Sequence, residues 1–412
     1  MSDRLKLFDA YGIELEYMLV DRDTLGVRPV ADVLLASLAG GELTSEYESG
    51  PITWSNELAL HVIELKTTEP ATKIRPLPSR FEKAIRDLGP ALDALNVRLM
   101  PTGMHPWMDP VAETALWPHQ YHEIYSVYDK IFDCHSHGWA NVQSVHLNLP
   151  FDDDQEFGRL HAAVRLVLPL LPALTASSPV VGGNYSGQLD SRMKFYAEHC
   201  SKVPSLVGDV IPEPIYDQAT YQAEIMDRLF ADIRHHDADG VLHGEFLNAR
   251  GAIARFDRGS IELRVMDVQE YPGADVAVCA AVIALVKELV SESWTSLDQQ
   301  KNVPTSLLRG ILNHVSEQAE NAKIESPDYL KLFGYPGSSC RAGDLWAFLL
   351  DRMKRNDEVL DSLFAPLQVI TDQGTLATRI CAALGKKFTL DDLKDVYDEV
   401  ADSLDHWEPF QP

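Results

Sequence analysis

Three runs of this chain place charged or metal-ligating side chains on the polar side of an otherwise apolar, strand-like segment. In Gly12-Ile13-Glu14-Leu15-Glu16-Tyr17-Met18-Leu19-Val20 the apolar residues alternate with period two, the pattern of a strand with one buried face. Glu14 and Glu16 share the other face. Like charges side by side repel, more strongly where the dielectric is low, so the pair calls for water or for a cation between its members. This stretch alone leaves both readings open. Residues 141–149 alternate again, with Val142, Ser144, His146 and Asn148 on one side and Gln143, Val145, Leu147 and Leu149 on the other. In Ser260–Asp267, Glu262 and Arg264 share a face while Ile261, Leu263 and Val265 take the opposite one. Carboxylate oxygens with an imidazole suit a hard divalent cation, and a guanidinium suits phosphate. Taken singly, the histidine also reads as a structural one and Glu-x-Arg as a surface ion pair of little value; their combination on three strands favours a site.

A fourth place, Asn56-Glu57 through Glu64-Leu65-Lys66-Thr67, adds two acids and a geometric question. Glu57 and Glu64 are seven residues apart, an odd number, so an unbroken strand would send them to opposite faces. Either a bulge or loop interrupts the run near Leu60-His61, or one of the two does not serve the site.

The elements that must carry these groups are set by periodicity and breakers. Strands are expected at 11–20, 97–100, 141–149, 241–248, 252–257 and 260–267, with an extended stretch at 52–67. Helices are expected near 30–38, from Pro76-Pro78 to Asn96, and at 155–175, 188–200 and 218–236. Residues 119–132 carry an aromatic stripe at helical spacing, Tyr121, Ile124, Tyr125, Tyr128, Ile131 and Phe132, which reads as core rather than as a ligand box. From Pro272 the pattern is helical: 273–294, 304–322, 342–363, 373–384 and 390–404. Strands and helices without strict strand-helix-strand repeats predict an α+β fold with an antiparallel sheet. A soft boundary near 295–303 divides a mixed α+β domain, 1–294, from a helical C-terminal region, 295–412, packed on it.

Composition narrows the functions. With 412 residues and a net charge of -26, the chain lacks the clustered basic residues that nucleic acid requires or that an anionic membrane surface attracts. No apolar run reaches the length of a membrane-spanning helix, and Met1-Ser2-Asp3-Arg4-Leu5-Lys6 has no apolar signal core. The five cysteines form no Cys-x-x-Cys and read as reduced thiols of a cytoplasmic protein. Neither a P-loop nor Gly-x-Gly-x-x-Gly nor His-Glu-x-x-His is present, so any nucleotide phosphates would be held by acids with Mg²⁺.

Gly-Ile-Glu-Leu-Glu at 12–16, Val-His-Leu-Asn at 145–148 and Ile-Glu-Leu-Arg-Val-Met-Asp at 261–267 resemble, in the same order, the glutamate-cysteine ligases and carboxylate-amine ligases of the glutamine synthetase superfamily. Gly103-Met104-His105-Pro106, Ala176-Ser177-Ser178-Pro179 and Ser191-Arg192 also match. The likeness covers roughly residues 11–290 and leaves the helical tail uncovered. It implies a curved antiparallel sheet with flanking helices, holding ATP and Mg²⁺ in its concave face. It further implies that Glu14, His146 and Glu262 hold one ion and Glu16, Glu57 and Glu64 another. Glu262 and Arg264 would be the catalytic pair, Arg264 meeting the transferring phosphate. Arg192, Arg255 and His105 would bind substrate. The spacing of Glu57 and Glu64 also occurs in some bacterial glutamate-cysteine ligases, which favours the interrupted strand. Two departures stand out. Where many carboxylate-amine ligases carry His-x-His, the first position here is Ser144, and His61 falls between two acids.

The activity so implied is an ATP- and Mg²⁺-dependent ligation of a small-molecule carboxylate, glutamate by default, to an amine through an acyl phosphate; a homodimer is compatible with it. A guanidino-kinase-type phosphotransferase, a metal-dependent hydrolase and a non-catalytic nucleotide-binding relative are the alternatives.

Overall fold

The computed structural model describes residues 4–242 and 244–412. Alternating sequence builds the sheet: β1 (Gly12–Asp21), β2 (Glu46–Ser49), β3 (Ile52–Asn56), β4 (Val62–Thr67), β5 (Val97–Met100) and β6 (Ser144–Pro150). After a separate small hairpin, β7 (Val180–Val181) and β8 (Asn184–Tyr185), come β9 (Ala252–Arg255) and β10 (Ser260–Asp267). Eight strands run in the order β2-β3-β4-β1-β6-β10-β9, with β5 paired to β1, and every pairing is antiparallel. Met18 pairs with both Val62 and Met100, so β5 lies along the β1 edge that β6 occupies further back.

The α+β class with an antiparallel sheet is what forms, but the expectation of a curved sheet of the glutamine synthetase kind is overturned. The sheet is open, ending in β2 on one side and β9 on the other. A sheet closes only if its edges can meet and pair. Both edge strands are four residues long, and β2 presents Glu46 and Glu48. Short, charged edges of this type resist further strand addition.

One face of the sheet carries Ile13, Leu15, Tyr17 and Leu19, with Leu65, Leu147 and Ile261, into the main apolar core. The helices Leu77–Leu95, Asp154–Val167 and Pro272–Val290 contribute much of the rest of that core. The last of these is apolar all round and buried nearly throughout, as a helix without a polar face must be; Pro272 starts it at the first turn, where its missing N–H costs nothing. No helix among the described residues is long and apolar enough to cross a membrane.

The other face of β1 changes character along the strand. It begins with Glu14 and Glu16 and ends with Met18 and Val20, which join Met100 and the apolar sides of helices Leu376–Leu384 and Leu390–His406 in a second core. Arg98 on β5, almost wholly buried, reaches out to that last helix. Its Nη1 lies 2.8 Å from Asp398, and its Nη2 lies 2.8 and 2.9 Å from Asp402 and Asp405. Further back, Tyr329 Oη donates to the Leu166 carbonyl at 2.7 Å and Trp346 Nε1 to that of Leu170 at 2.8 Å.

Several expected elements are redrawn. The extended stretch 52–67 is two strands, β3 and β4, hydrogen-bonded to one another across the loop 57–61. The helix expected at 155–175 stops at Val167, because Pro169 and Pro172 divide residues 168–175 into short turns. The strand expected at 241–248 does not form; residues 244–247 make a 3₁₀ turn, and residue 243 lies outside the described residues.

Candidate active site

Register gathers the site. Glu14 stands opposite Lys66 on β4 and His146 on β6, Glu16 opposite Glu64, and Asn148 opposite Gly12 and Glu262. Residues directly opposite share a face, so Glu14, Glu16, Glu64, His146 and Glu262 project together into a pocket of about 1070 Å³. They form two groups with ligand atoms within 4.8 Å of one another: Glu14, His146 and Glu262, and Glu16, Glu64 and His146.

His146 joins the two groups. Its Nδ1 lies 3.0 Å from Glu14 Oε2 and its Nε2 2.9 Å from Ser144 Oγ. Glu262 Oε1 is 3.8 Å from Nδ1, and Glu16 Oε1 is 3.8 Å from Nε2. Glu57 lies in the loop just past β3 and lines the same pocket, outside both groups. The loop therefore answers the spacing question: Ser55 pairs with Glu64, and Glu57, two residues beyond Ser55, comes to the same side.

Crowding of acids sets the charges. Burial pushes the Glu14 carboxyl up, but the hydrogen bond and charge of His146 outweigh it and bring it down to about 2. Burial and then the charge of Glu14 push Glu64 up to about 7, against Lys66 and Ser55. Burial, Glu64 and Glu16 hold Glu57 well above the carboxylate range. Burial disfavours the His146 imidazolium, yet its bond to Glu14 and the charge of Glu16 raise it to about 9.

The donors fit a hard divalent ion, being carboxylate oxygens and one imidazole. A protonated Glu64 or His146 cannot ligate, so protons compete with the ion. Affinity for Mg²⁺ or Mn²⁺ is therefore expected to rise from about pH 6 to about pH 9, with proton release on binding. Titration calorimetry in buffers of different ionisation enthalpy measures both; pH-independent binding without proton release would contradict it.

A bulge falls at the arginine. On β10, Leu263 faces Leu147 but Met266 faces Val145, so one extra residue enters at 264–265 and reverses the parity of the rest of the strand. Glu262 and Arg264 share the pocket side by alternation, and past the bulge Asp267 turns to that side of the sheet too, where it meets Arg192. Arg264 Nε lies 3.1 Å from Glu262 Oε1, and Arg255 Nη1 3.5 Å from Glu262 Oε2.

Two residues expected at the substrate are committed elsewhere. Arg192 borders the pocket, but its Nε donates to Asp267 Oδ1 at 2.6 Å and its Nη2 to the Arg264 carbonyl at 3.1 Å. His105 is not brought to the pocket: it is buried, with Nε2 2.8 Å from the Leu25 carbonyl.

Other groups escaped sequence reasoning. The N–H and Oγ of Ser144 both donate to Glu16 Oε2, at 2.7 and 2.9 Å, so the serine at the His-x-His position orients an acid. Ser55 donates to Glu64 at 2.7 Å and Asn148 to Glu14 at 3.0 Å. Alternation had put Ser144 and Asn148 on the right face without revealing their partners. The aromatic stripe ending in helix His122–Phe132 is only partly core: Tyr128, Ile131 and Phe132 are buried, while Tyr121 and Tyr125, with one side of Tyr128, line the pocket. Helical spacing marks a face but not what covers it.

Comparison with known proteins extends the match beyond these motifs. The family model described as glutamate-cysteine ligase family 2 fits residues 10–396, taking in the helical tail that the motif likeness left uncovered. An uncharacterized protein of Archaeoglobus fulgidus is 34% identical over 281 residues, 68% of this chain and 75% of its own. A putative glutamate–cysteine ligase 2 of Cupriavidus metallidurans is 26% identical over 294 residues, 68% of each chain. Among solved structures, a glutamate–cysteine ligase from Francisella tularensis in complex with AMP shares the fold, with a TM-score of 0.62 at 14% identity over 97% of this chain and 90% of that one. A bifunctional glutathione synthetase from Pasteurella multocida gives 0.63 at 14% identity, over 97% of this chain and 53% of that one. A family model spanning nearly the whole length, together with the archaeal relative, shows that this chain belongs to glutamate-cysteine ligase family 2.

Proposed function

We propose that this protein is an ATP- and Mg²⁺-dependent ligase that joins a carboxylate to an amine. The observation that carries the reading is the meeting of Glu14, Glu16, Glu64, His146 and Glu262 on one face of the sheet, with Arg264 against Glu262. A carboxylate oxygen of the acid attacks the γ-phosphorus of ATP and ADP leaves, giving an acyl phosphate. The amine nitrogen then attacks the acyl carbon, expelling phosphate and giving up a proton. Glu14, His146 and Glu262 would hold one divalent ion and Glu16 and Glu64, with Glu57 lining the same pocket, another; the ions would offset the charge of the phosphate chain. Arg264 meets the phosphoryl group in transit, where a preorganised cation counts most. Arg255 stands beside it and takes the carboxylate of the acid. Glutamate is the acid we favour and an amino acid such as cysteine the amine, in line with the names of the relatives.

The test is ADP and phosphate release with a panel of acids and amines, with and without Mg²⁺. The expected result is ADP and phosphate in equal amounts, dependent on the metal and on both organic substrates. ADP formed with a phosphorylated amine and no free phosphate would point to a phosphotransferase. Metal-dependent hydrolysis that needs no ATP would point to a hydrolase. Either would overturn the proposal.

A further inference from the structure

Behind the wall of the catalytic pocket lies a second cavity of about 290 Å³, near the lower end of the roughly 300–1,000 Å³ of small-molecule sites. Ile74, Ile283 and Leu360, all buried, give it an apolar floor, and Lys73, Arg75 and Lys287 line it as well. Lys73 and Arg75 are exposed and Lys287 is half-buried. The Lys287 ammonium sits over the rings of Phe8 and Tyr11, 5.6 and 5.8 Å from their centroids. Among the described residues none of these three cations forms an ion pair. The cavity has one acid of its own, Asp357. Its Oδ1 is taken up in capping a helix, accepting from the N–H groups of Val359 and Leu360 at 2.9 and 3.0 Å.

Apolar walls with uncompensated cations recognise one class of molecule, an organic anion with an apolar body. The walls remove the body from water at about 25 cal/mol per Å², and the cations take the head. Nucleotide triphosphate is the wrong ligand here, because the cavity has neither the volume nor the cluster of acids that a chelated metal needs. We infer that this cavity is a binding site for a small monoanion with an aliphatic or aromatic body, such as a medium-chain carboxylate. The site is separate from the catalytic pocket, yet shares a wall with it. Tyr11 and Thr72 line the rear cavity, whereas Ala10, Gly12 and Pro70 line the catalytic one. Tyr11 and Ala71 exchange backbone hydrogen bonds of 2.9 and 2.8 Å between them.

Calorimetric titration of the full chain with octanoate tests the assignment, with octylammonium and 1-octanol as controls for charge and for grease. We expect saturable one-to-one binding of octanoate, no binding of octylammonium, and octanol weaker than octanoate. Lys73 and Arg75 are exposed, so the double variant Lys73→Glu, Arg75→Glu keeps the fold; it should weaken octanoate by at least about tenfold, or 1.4 kcal/mol. Lys287→Met, which keeps the apolar stem, should weaken it in the same direction. Failure to saturate below about 10 mM, a binding energy under about 3 kcal/mol, would overturn the inference. So would an affinity unchanged in the double variant, or equal binding of the ammonium.

Discussion

Glu262→Ala is expected to cripple ligation, lowering turnover by about 10²–10³-fold, the scale seen when a preorganised charge-stabilising group is removed from an active site. Glu262 is buried and touches three of the groups assigned to catalysis: Arg264 at 3.1 Å, Arg255 at 3.5 Å and His146 at 3.8 Å. Its removal takes a ligand from one candidate ion site and releases both arginines. The fold should survive. Glu14 and Glu16 still act on Arg264 and Asp257 stays 3.6 Å from Arg255, and one carboxylate fewer relieves repulsion in a crowded cluster; a change of less than about 2 kcal/mol is expected. Glu262→Gln keeps the shape and should be nearly as inactive, which separates loss of charge from loss of packing. Steady-state ADP release, read beside a urea unfolding curve for each variant, measures both effects. Turnover within a factor of ten of the parent in either variant would remove Glu262 from the mechanism.

The second large effect concerns stability. Asp267→Asn is expected to cost about 3–5 kcal/mol, the usual result of breaking a buried ion pair from one side. Arg192 and Asp267 have side chains only 1% and 0% exposed. Asp267 Oδ2 also accepts from the Ser177 N–H at 3.0 Å and from Ser178 Oγ at 2.8 Å. The approach is close on the other side as well: a Cβ on Gly103 would lie 2.4 Å from the Asp267 carboxyl carbon, so only glycine fits there. Arg192→Met should cost a similar amount and, because Arg192 also holds the Arg264 carbonyl, should lower kcat more than it raises KM. Unfolding midpoints and a kcat–KM separation measure this. An Arg192→Met protein of unchanged midpoint and raised KM would return Arg192 to the substrate-binding role that the family resemblance implies.

How much of this was legible in the sequence depends on how local the signal is. Alternation of period two needs no tertiary knowledge, and it placed Glu14 with Glu16, His146 with Asn148, and Glu262 with Arg264 on shared faces. Which strands would then lie side by side is a matter of register, and register came only with coordinates. The bulge at 264–265 leaves no mark in composition: Glu262 and Arg264 read as a plain i, i+2 pair, and nothing signals that Asp267, of opposite parity, turns to the same side. Ser144 looked like a missing histidine because its role, orienting Glu16, involves a residue 128 positions away. The stripe on helix His122–Phe132 was correctly periodic, but periodicity does not say whether tyrosines meet leucines or a cavity. The open sheet was missed for a similar reason, since whether two edges pair depends on strands at opposite ends of the array. At 241–248 the expected strand gives way to a 3₁₀ turn at 244–247.

Arg98 has a practical consequence for anyone shortening this chain. The final helix is bound to the sheet through three aspartates on one guanidinium and through Leu393, Tyr397 and Val400 in the second core. A stop codon placed before residue 390 would leave a buried cation without its counter-charges and an apolar surface facing solvent, a combination that invites aggregation. The terminal segment therefore belongs in any expression clone meant to yield soluble protein.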